Sequence, residues 1–271
     1  MPELPEVETV ARGLRAQLAG RRLAAVHLYR RSVYRGPSLQ HLIGGEIGTV
    51  ARAGKFLVVH LDAGRPWQLL FHLGMTGQLL LQPPEAPLAK HTHARFDFDG
   101  PLTLAFRDPR RFGRIGLAPT PEQGGFAPAL HIPSGAEPLE IGETEFASLF
   151  HRRQAPIKNA LLNQKLLRGL GNIYADESLH RAGIDPRARA LSRPRLRRLR
   201  AEIRAVLEEA IAAGGSSISD YVDSAGAPGW FHLQHRVYGH TGAPCLQCGS
   251  PIRRLVLAGR SAHFCPTCQR R

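Results

Sequence analysis

The four cysteines of this 271-residue chain fall in its last 27 residues, as Cys245-x2-Cys248 and Cys265-x2-Cys268 with sixteen residues between the pairs. Two Cys-x-x-Cys pairs at this distance can give four thiolates to one tetrahedral zinc ion. Four protein ligands leave no open coordination position, so one structural zinc ion is expected and not a catalytic one. Arg253, Arg254 and Arg260 lie between the pairs, where a zinc-pinned β-hairpin would hold them toward a phosphate backbone. For Arg253 and Arg254 a solvated face accounts for the charge equally well.

Thirty-six Lys and Arg against 22 Asp and Glu leave +14 at pH 7, with a pI near 10.7. That charge attracts polyanions, and nucleic acid is the first partner to test. Only four of the basic residues are lysines: Lys55, Lys90, Lys158 and Lys165. A lysine retained among so many arginines is a candidate for work that an always-charged guanidinium does poorly, although genome composition produces the same skew. No apolar run is long enough to span a bilayer, and the first twenty residues lack the apolar stretch of a signal peptide. No membrane partner is expected, and the cytoplasm, where thiols stay reduced, is the expected location.

The elements that must position these residues divide the chain. Val7, Val10, Leu14 and Leu18 repeat at helical spacing, which predicts a helix over 3–19 ended by Gly20. Short β-like runs follow at 23–29, 55–61, 67–73, 78–81, 94–98 and 102–106, at the spacing of a sandwich. The Pro- and Gly-rich stretch 118–142 has the composition of a linker. Beyond it, helices are predicted at 144–151, 157–167, 172–182 and 194–213, and a loop from Ser219 to Gln234.

Five motifs stand in one order along the whole chain: Pro2-Glu3-Leu4-Pro5-Glu6-Val7-Glu8-Thr9, His72-Leu73-Gly74-Met75-Thr76-Gly77, Asp108-Pro109-Arg110-Arg111-Phe112-Gly113, Gly171-Asn172-Ile173-Tyr174-Ala175-Asp176-Glu177, and the four-cysteine tail. Together they resemble the formamidopyrimidine-DNA glycosylase family, bacterial base-excision enzymes for oxidised purines. The sister endonuclease VIII enzymes, which prefer oxidised pyrimidines, usually have Gly where this chain has Leu4. The resemblance implies an α+β, bilobed monomer with double-stranded DNA in its cleft. Its N-terminal β-sandwich with an N-terminal helix would fill residues 1–130. A C-terminal helix-two-turns-helix domain would fill 131–235 and a zinc-finger hairpin 236–271. A zinc-ribbon DNA-binding protein without chemistry is the rival of another class.

The resemblance also implies roles. Removal of Met1 would expose the secondary amine of Pro2. An α-amino group titrates near 8 against about 10.4 for Lys, so roughly a tenth is neutral at pH 7 and able to attack a sugar carbon. Taken alone, Pro2 reads as a helix-start residue. Glu3 would donate a proton, which asks for burial or a neighbouring carboxylate, and Glu6 would set the local hydrogen bonds. Lys55 would contact the lesion phosphate, and Arg260 would act on phosphate during the later elimination. His91, Arg110, Arg153 and Lys158 would be DNA contacts, and Met75 and Phe112 would fill the gap left by a flipped base. Asn172 is expected as the N-cap of its helix, where capping explains it as well as an anion site does. His72 and His93 read as packing or hydrogen-bonding residues. Some family members have Glu after the wedge Met where this chain has Thr76, which leaves its pocket contacts open.

Overall fold

The computed structural model describes residues 1–218 and 220–271, so Ser219, where the sequence starts its loop, lies outside the described residues. The chain forms two compact units: Met1–Ile132 with Ala213–Trp230, and Pro133–Ala212 with Phe231–Arg271. No helix among the described residues is long and apolar enough to cross a membrane.

The first unit is a β-sandwich carrying one helix, α1 (Leu4–Leu18). Val7, Val10, Ala11, Leu14 and Leu18 form its buried stripe, and Arg15 Nε donates to the Val50 carbonyl at 2.7 Å. One sheet runs in the order β1 (Leu23–Leu28), β7 (Thr92–Phe98), β8 (Thr103–Arg107), β6 (Gln78–Gln82). The other runs β2 (Tyr34–Arg35), β9 (Arg114–Pro119), β5 (Pro66–His72), β4 (Phe56–Asp62), β3 (Glu46–Ala53). Phe71 of β5 meets Phe96 of β7 edge-on at 5.8 Å, so the sheets face each other through aromatic packing. β4 and β5 are buried on both faces, because Val58 and Leu70 pack in a second cluster with Ala127. Residues 213–230 return to this unit, with Leu81 N–H donating to the Ser224 carbonyl at 2.8 Å.

The second unit contains α2 (Glu143–Phe150), α3 (Ile157–Leu161), α4 (Asn172–Arg181), α5 (Arg193–Ala212) and the hairpin of β10 (Arg253–Leu257) and β11 (Arg260–Phe264). Leu196, Leu199, Ile203, Val206, Leu207 and Ala210 of α5 are its buried stripe. α4 is different: eight of its ten residues are buried, among them Asp176, Glu177, Ser178 and His180. Buried nearly all round, the helix meets its surroundings through hydrogen bonds of Asp176 and Glu177. α3 stops at Leu161, short of the predicted 167, because Asn163 turns its own backbone. Its Oδ1 accepts from Lys165 N–H at 3.0 Å and its carbonyl from Leu166 N–H at 2.8 Å.

Each unit holds a histidine whose pKa is pushed down: half-buried His72 in the first and buried His235 in the second. Burial, reinforced by the charges of Lys55 and Arg114, holds the His72 imidazole down at about 4. Burial with His240 and His232 nearby does the same to His235, also to about 4. An unfolded histidine titrates near 6.5, so the unfolded chain takes up the extra protons as pH falls. Stability present above about pH 6.5 is therefore lost toward pH 4, by at most about 3 kcal/mol for His72. Both tryptophans, Trp67 and Trp230, belong to the first unit and report its unfolding. His72→Gln, which keeps an acceptor for the Gly74 N–H, is expected to flatten the fluorescence-detected stability profile between pH 6.5 and 4. An unchanged profile would refute the assignment.

Candidate active site and zinc centre

The N-terminus of α1 is a tightly held pair of carboxylates. Pro2 is buried, and Glu3 and Glu6 are 3% and 2% exposed. Glu3 is the N-cap, in extended backbone, and its N–H donates to Glu6 Oε2 at 2.7 Å in a capping box. Glu6 Oε1 accepts from Ser216 N–H at 2.8 Å. A Cβ at Gly215, whose φ is +85°, would stand 2.9 Å from that oxygen, so the approach requires glycine. Tyr221 Oη donates to the Glu6 carbonyl at 3.3 Å, and burial beside the Glu6 charge raises its phenol well above the ordinary range, keeping it a donor. Lys55 sits in the turn between β3 and β4, and at 9% exposed it is not the solvated lysine usual at a strand end.

A second cluster of the first unit is organised by Asp108, which is fully buried. Its Oδ1 accepts from Thr76 Oγ1 at 2.5 Å and Arg110 N–H at 3.2 Å, and its Oδ2 from Gly113 N–H at 2.7 Å. Its N–H donates to the His91 carbonyl at 3.0 Å, and its carbonyl accepts from His93 Nε2 at 2.8 Å. A Cβ at Gly74 would stand 2.6 Å from the Phe112 carbonyl carbon, so the Met75 and Phe112 turns are in direct contact. On this frame Met75 and Phe112 are 41% and 50% exposed, and the Arg110 guanidinium stands 4.8 Å from the Phe112 ring centre. Phe112 is therefore not a core residue. Thr76 is buried against Asp108, where it holds the turn. Sequence reasoning gave Asp108 no role, although it opens a motif quoted for its neighbours.

In the second unit α4 binds the C-terminal tail through a row of polar side chains. Asn172 is the first helical residue and Gly171 the N-cap, which corrects the expected cap. The Asn172 side chain donates to Ser261 Oγ at 3.2 Å. Asp176 accepts from Lys158 Nζ at 2.6 Å and from His263 N–H at 2.9 Å, and Lys158 also donates to the Ser261 carbonyl. Glu177 accepts the backbone N–H groups of Arg236, Val237 and Tyr238 at 2.8 to 3.0 Å. Asp176, Glu177 and Ser261 were given no role by sequence reasoning; an acid pair inside the quoted motif of a predicted helix was the available signal.

Lys158 is a correction. Its side chain has no exposed surface and is spent on Asp176 and Ser261, so it reaches no phosphate here. Its bonds grip the residue next to Arg260, which is exposed and follows the two-residue turn Ala258-Gly259. Both turn residues have positive φ, the geometry that suits a tight hairpin. His91 and Arg153 are also exposed, and Arg153 lies on the turn after α2, with Nε donating to the Leu149 carbonyl.

The ligand atoms of Cys245, Cys248, Cys265 and Cys268 lie within 4.8 Å of one another. Their 3.4 Å (Cys248 to Cys265) and 3.9 Å (Cys245 to Cys268) separations bracket the ~3.8 Å edge of a zinc–thiolate tetrahedron. The donor set fits one structural zinc ion.

Comparison with known proteins gives the same order along the chain. Residues 1–115 match the formamidopyrimidine-DNA glycosylase N-terminal domain, 135–222 the H2TH domain of the same enzymes, and 242–271 the zinc finger found in FPG and IleRS. The chain is 50% identical over 278 residues to the formamidopyrimidine-DNA glycosylase of Solibacter usitatus, covering all of both chains. It is 38% identical to that of Bacillus subtilis over 276 residues, covering 99% of each. Among solved structures it is similar to the MutM (Fpg) protein of Thermus thermophilus, with a TM-score of 0.85, 42% identity, and 99% and 98% of the two chains covered. It is also similar to Lactococcus lactis Fpg in complex with DNA containing an abasic site, with a TM-score of 0.87, 32% identity, and 99% and 100% covered.

The Lys158–Asp176 pair generates a test. Lys158→Met leaves a carboxylate buried without its cation, which costs about 3–5 kcal/mol. The helical circular-dichroism transition of the second unit is expected to fall accordingly, while the tryptophan transition of the first unit stays in place. A loss below about 1 kcal/mol, the worth of a solvated pair, would show the contact to be dispensable.

Proposed function

The chain belongs to the formamidopyrimidine-DNA glycosylase family, and we propose that within it the protein is a bifunctional glycosylase and abasic-site lyase for oxidised purines. Its substrates are 8-oxoguanine, formamidopyrimidines and abasic sites in double-stranded DNA. It acts as a monomer in the cytoplasm, on the nucleoid. The observation that carries this reading is the buried Glu3–Glu6 pair directly after Pro2. Such a pair holds an acid beside the only chain position that can offer a secondary amine.

Removal of the exposed Met1 frees that amine. Its lone pair attacks C1′ of a nucleotide rotated out of the stack, the bond to the base breaks, and the base leaves with a proton. The amine proton is then lost and the C1′–O4′ bond breaks as O4′ takes up a proton, so that nitrogen and C1′ remain joined as an iminium, which is the electron sink for strand cleavage. Loss of a C2′ proton then expels the 3′ phosphate, and a second elimination expels the 5′ phosphate. Glu3 supplies the proton, and Lys55 contacts the lesion phosphate. Arg260 binds phosphate as a fixed charge, because a guanidinium does not readily release its proton. One structural zinc ion keeps the Arg260 hairpin folded and takes no part in bond making. His91, Arg153 and Asn172 bind the backbone around the lesion.

Borohydride added during reaction with a lesion-containing duplex is expected to trap one covalent adduct, with mass spectrometry placing it on Pro2. No adduct, or an adduct on Lys55, would overturn the assignment.

Flipping costs a few kcal/mol of pairing and stacking, and something must fill the gap. Met75 and Phe112 are the exposed apolar pair on a rigid base, with Arg110 beside them to bond the orphaned partner base. Arg110→Ala should weaken the preference for cytosine opposite 8-oxoguanine more than it slows cleavage of a preformed abasic site. Phe112→Ala should slow lesion excision from intact duplex and leave the melting temperature within about 0.5 kcal/mol of the parent's stability, as for other exposed positions. Unfolding of the first unit in Phe112→Ala, with unchanged opposite-base preference in Arg110→Ala, would make both residues structural.

A further inference from the structure

Asn172 and Asp176 of α4, four residues apart, both reach the C-terminal tail. The next residue on that face is His180, 2% exposed, and its Nε2 lies 3.6 Å from Cys245 Sγ. That distance is within reach of an N–H···S hydrogen bond.

We infer that His180 is a positioning residue of the zinc centre: its Nε2–H donates to the Cys245 thiolate and ties metal retention to helix α4. The imidazole is not a fifth ligand, since the cluster of possible metal ligands comprises the four sulfurs alone. Cys245 has need of such a donor. It is 3% exposed, its N–H is spent on the Ser250 carbonyl and its carbonyl on the Gly249 N–H. Across the site, Cys265 Sγ accepts the Cys268 N–H at 3.4 Å, a donor from within the tail. Donors to ligand atoms fix their orientation and share the negative charge that four thiolates bring to one divalent ion.

The ring's other nitrogen settles where the proton sits. Nδ1 is buried with no hydrogen-bond partner among the described residues. A proton there would bury an unmet donor and turn the Nε2 lone pair toward a sulfur anion. A proton on Nε2 leaves only an unmet acceptor and gives the thiolate a charge-assisted bond. Metal retention and α4 thereby become coupled through one ring.

Two measurements on the full-length zinc-loaded protein test this. Nitrogen-15 spectra of the unmodified protein are expected to show His180 protonated on Nε2, and protonation on Nδ1 would overturn the inference whatever any variant does. Zinc transfer to a chromophoric chelator is expected to be about 10- to 100-fold faster in His180→Phe, which keeps the ring volume and loses the donor. His180→Gln, whose amide nitrogen reaches the Nε2 position, should restore most of the retention. Parent-like release from His180→Phe, or no difference between the Gln and Phe variants, would also overturn it.

Discussion

A carboxylate taken out of water must have its oxygens met by donors, and four that obey this rule hold the irregular parts of the protein together. Glu6 takes the N–H groups of Glu3 and Ser216, and Asp108 those of Arg110 and Gly113 with the Thr76 hydroxyl. Asp176 takes Lys158 and His263, and Glu177 takes three consecutive amides from Arg236 to Tyr238. Apart from Lys158 on α3, the donors come from a helix end, a turn, a loop or a distant strand. A hydrogen bond to a charged group contributes about 1.5–3 kcal/mol, and leaving one unmet costs at least as much.

How far the sequence disclosed this depends on whether a local rule survived folding. The α1 stripe, the runs that became β4 through β8 and the cysteine quartet follow one period or one ligand geometry, and each lies within a few residues of its predicted place. β3 escaped because a register shift between Ile47 and Thr49 spaces its buried residues at 47, 50 and 53, which is no strand period. β9 escaped because Gly116 is needed there: a Cβ would stand 2.6 Å from Leu130 Cγ. Lys158 and Asp176 lie 18 residues apart and meet only after α3 and α4 have packed. Charge counting could assign such a lysine only to solvent or to phosphate. The family resemblance supplied roles for exposed groups such as Arg110 and Phe112. The buried acids beneath them became legible only from distances.

The backbone itself marks the exposed candidates. Among the described residues other than glycine, positive φ occurs at His91, Arg111, Arg152, Ala190 and Ala258. Four of these five are, or lie within two residues of, a proposed DNA contact: His91, Arg110 with Phe112, Arg153 and Arg260. A non-glycine residue in that region costs about 1–2 kcal/mol, which persists only where surrounding bonds outweigh it. At Arg111 the three donors gathered by Asp108 supply that excess. At Ala258 the Lys158–Asp176 pair and the His263 amide hold β11 immediately behind the turn. At Arg111 and Ala258, strain and its compensation therefore coincide next to residues proposed to contact DNA. A guanidinium aimed at a phosphate or an orphaned base gains from being pre-set, because each long side chain ordered only on binding would cost about 0.5–1.5 kcal/mol of affinity. The buried acids thus shape recognition by fixing the backbone from which the exposed cations project.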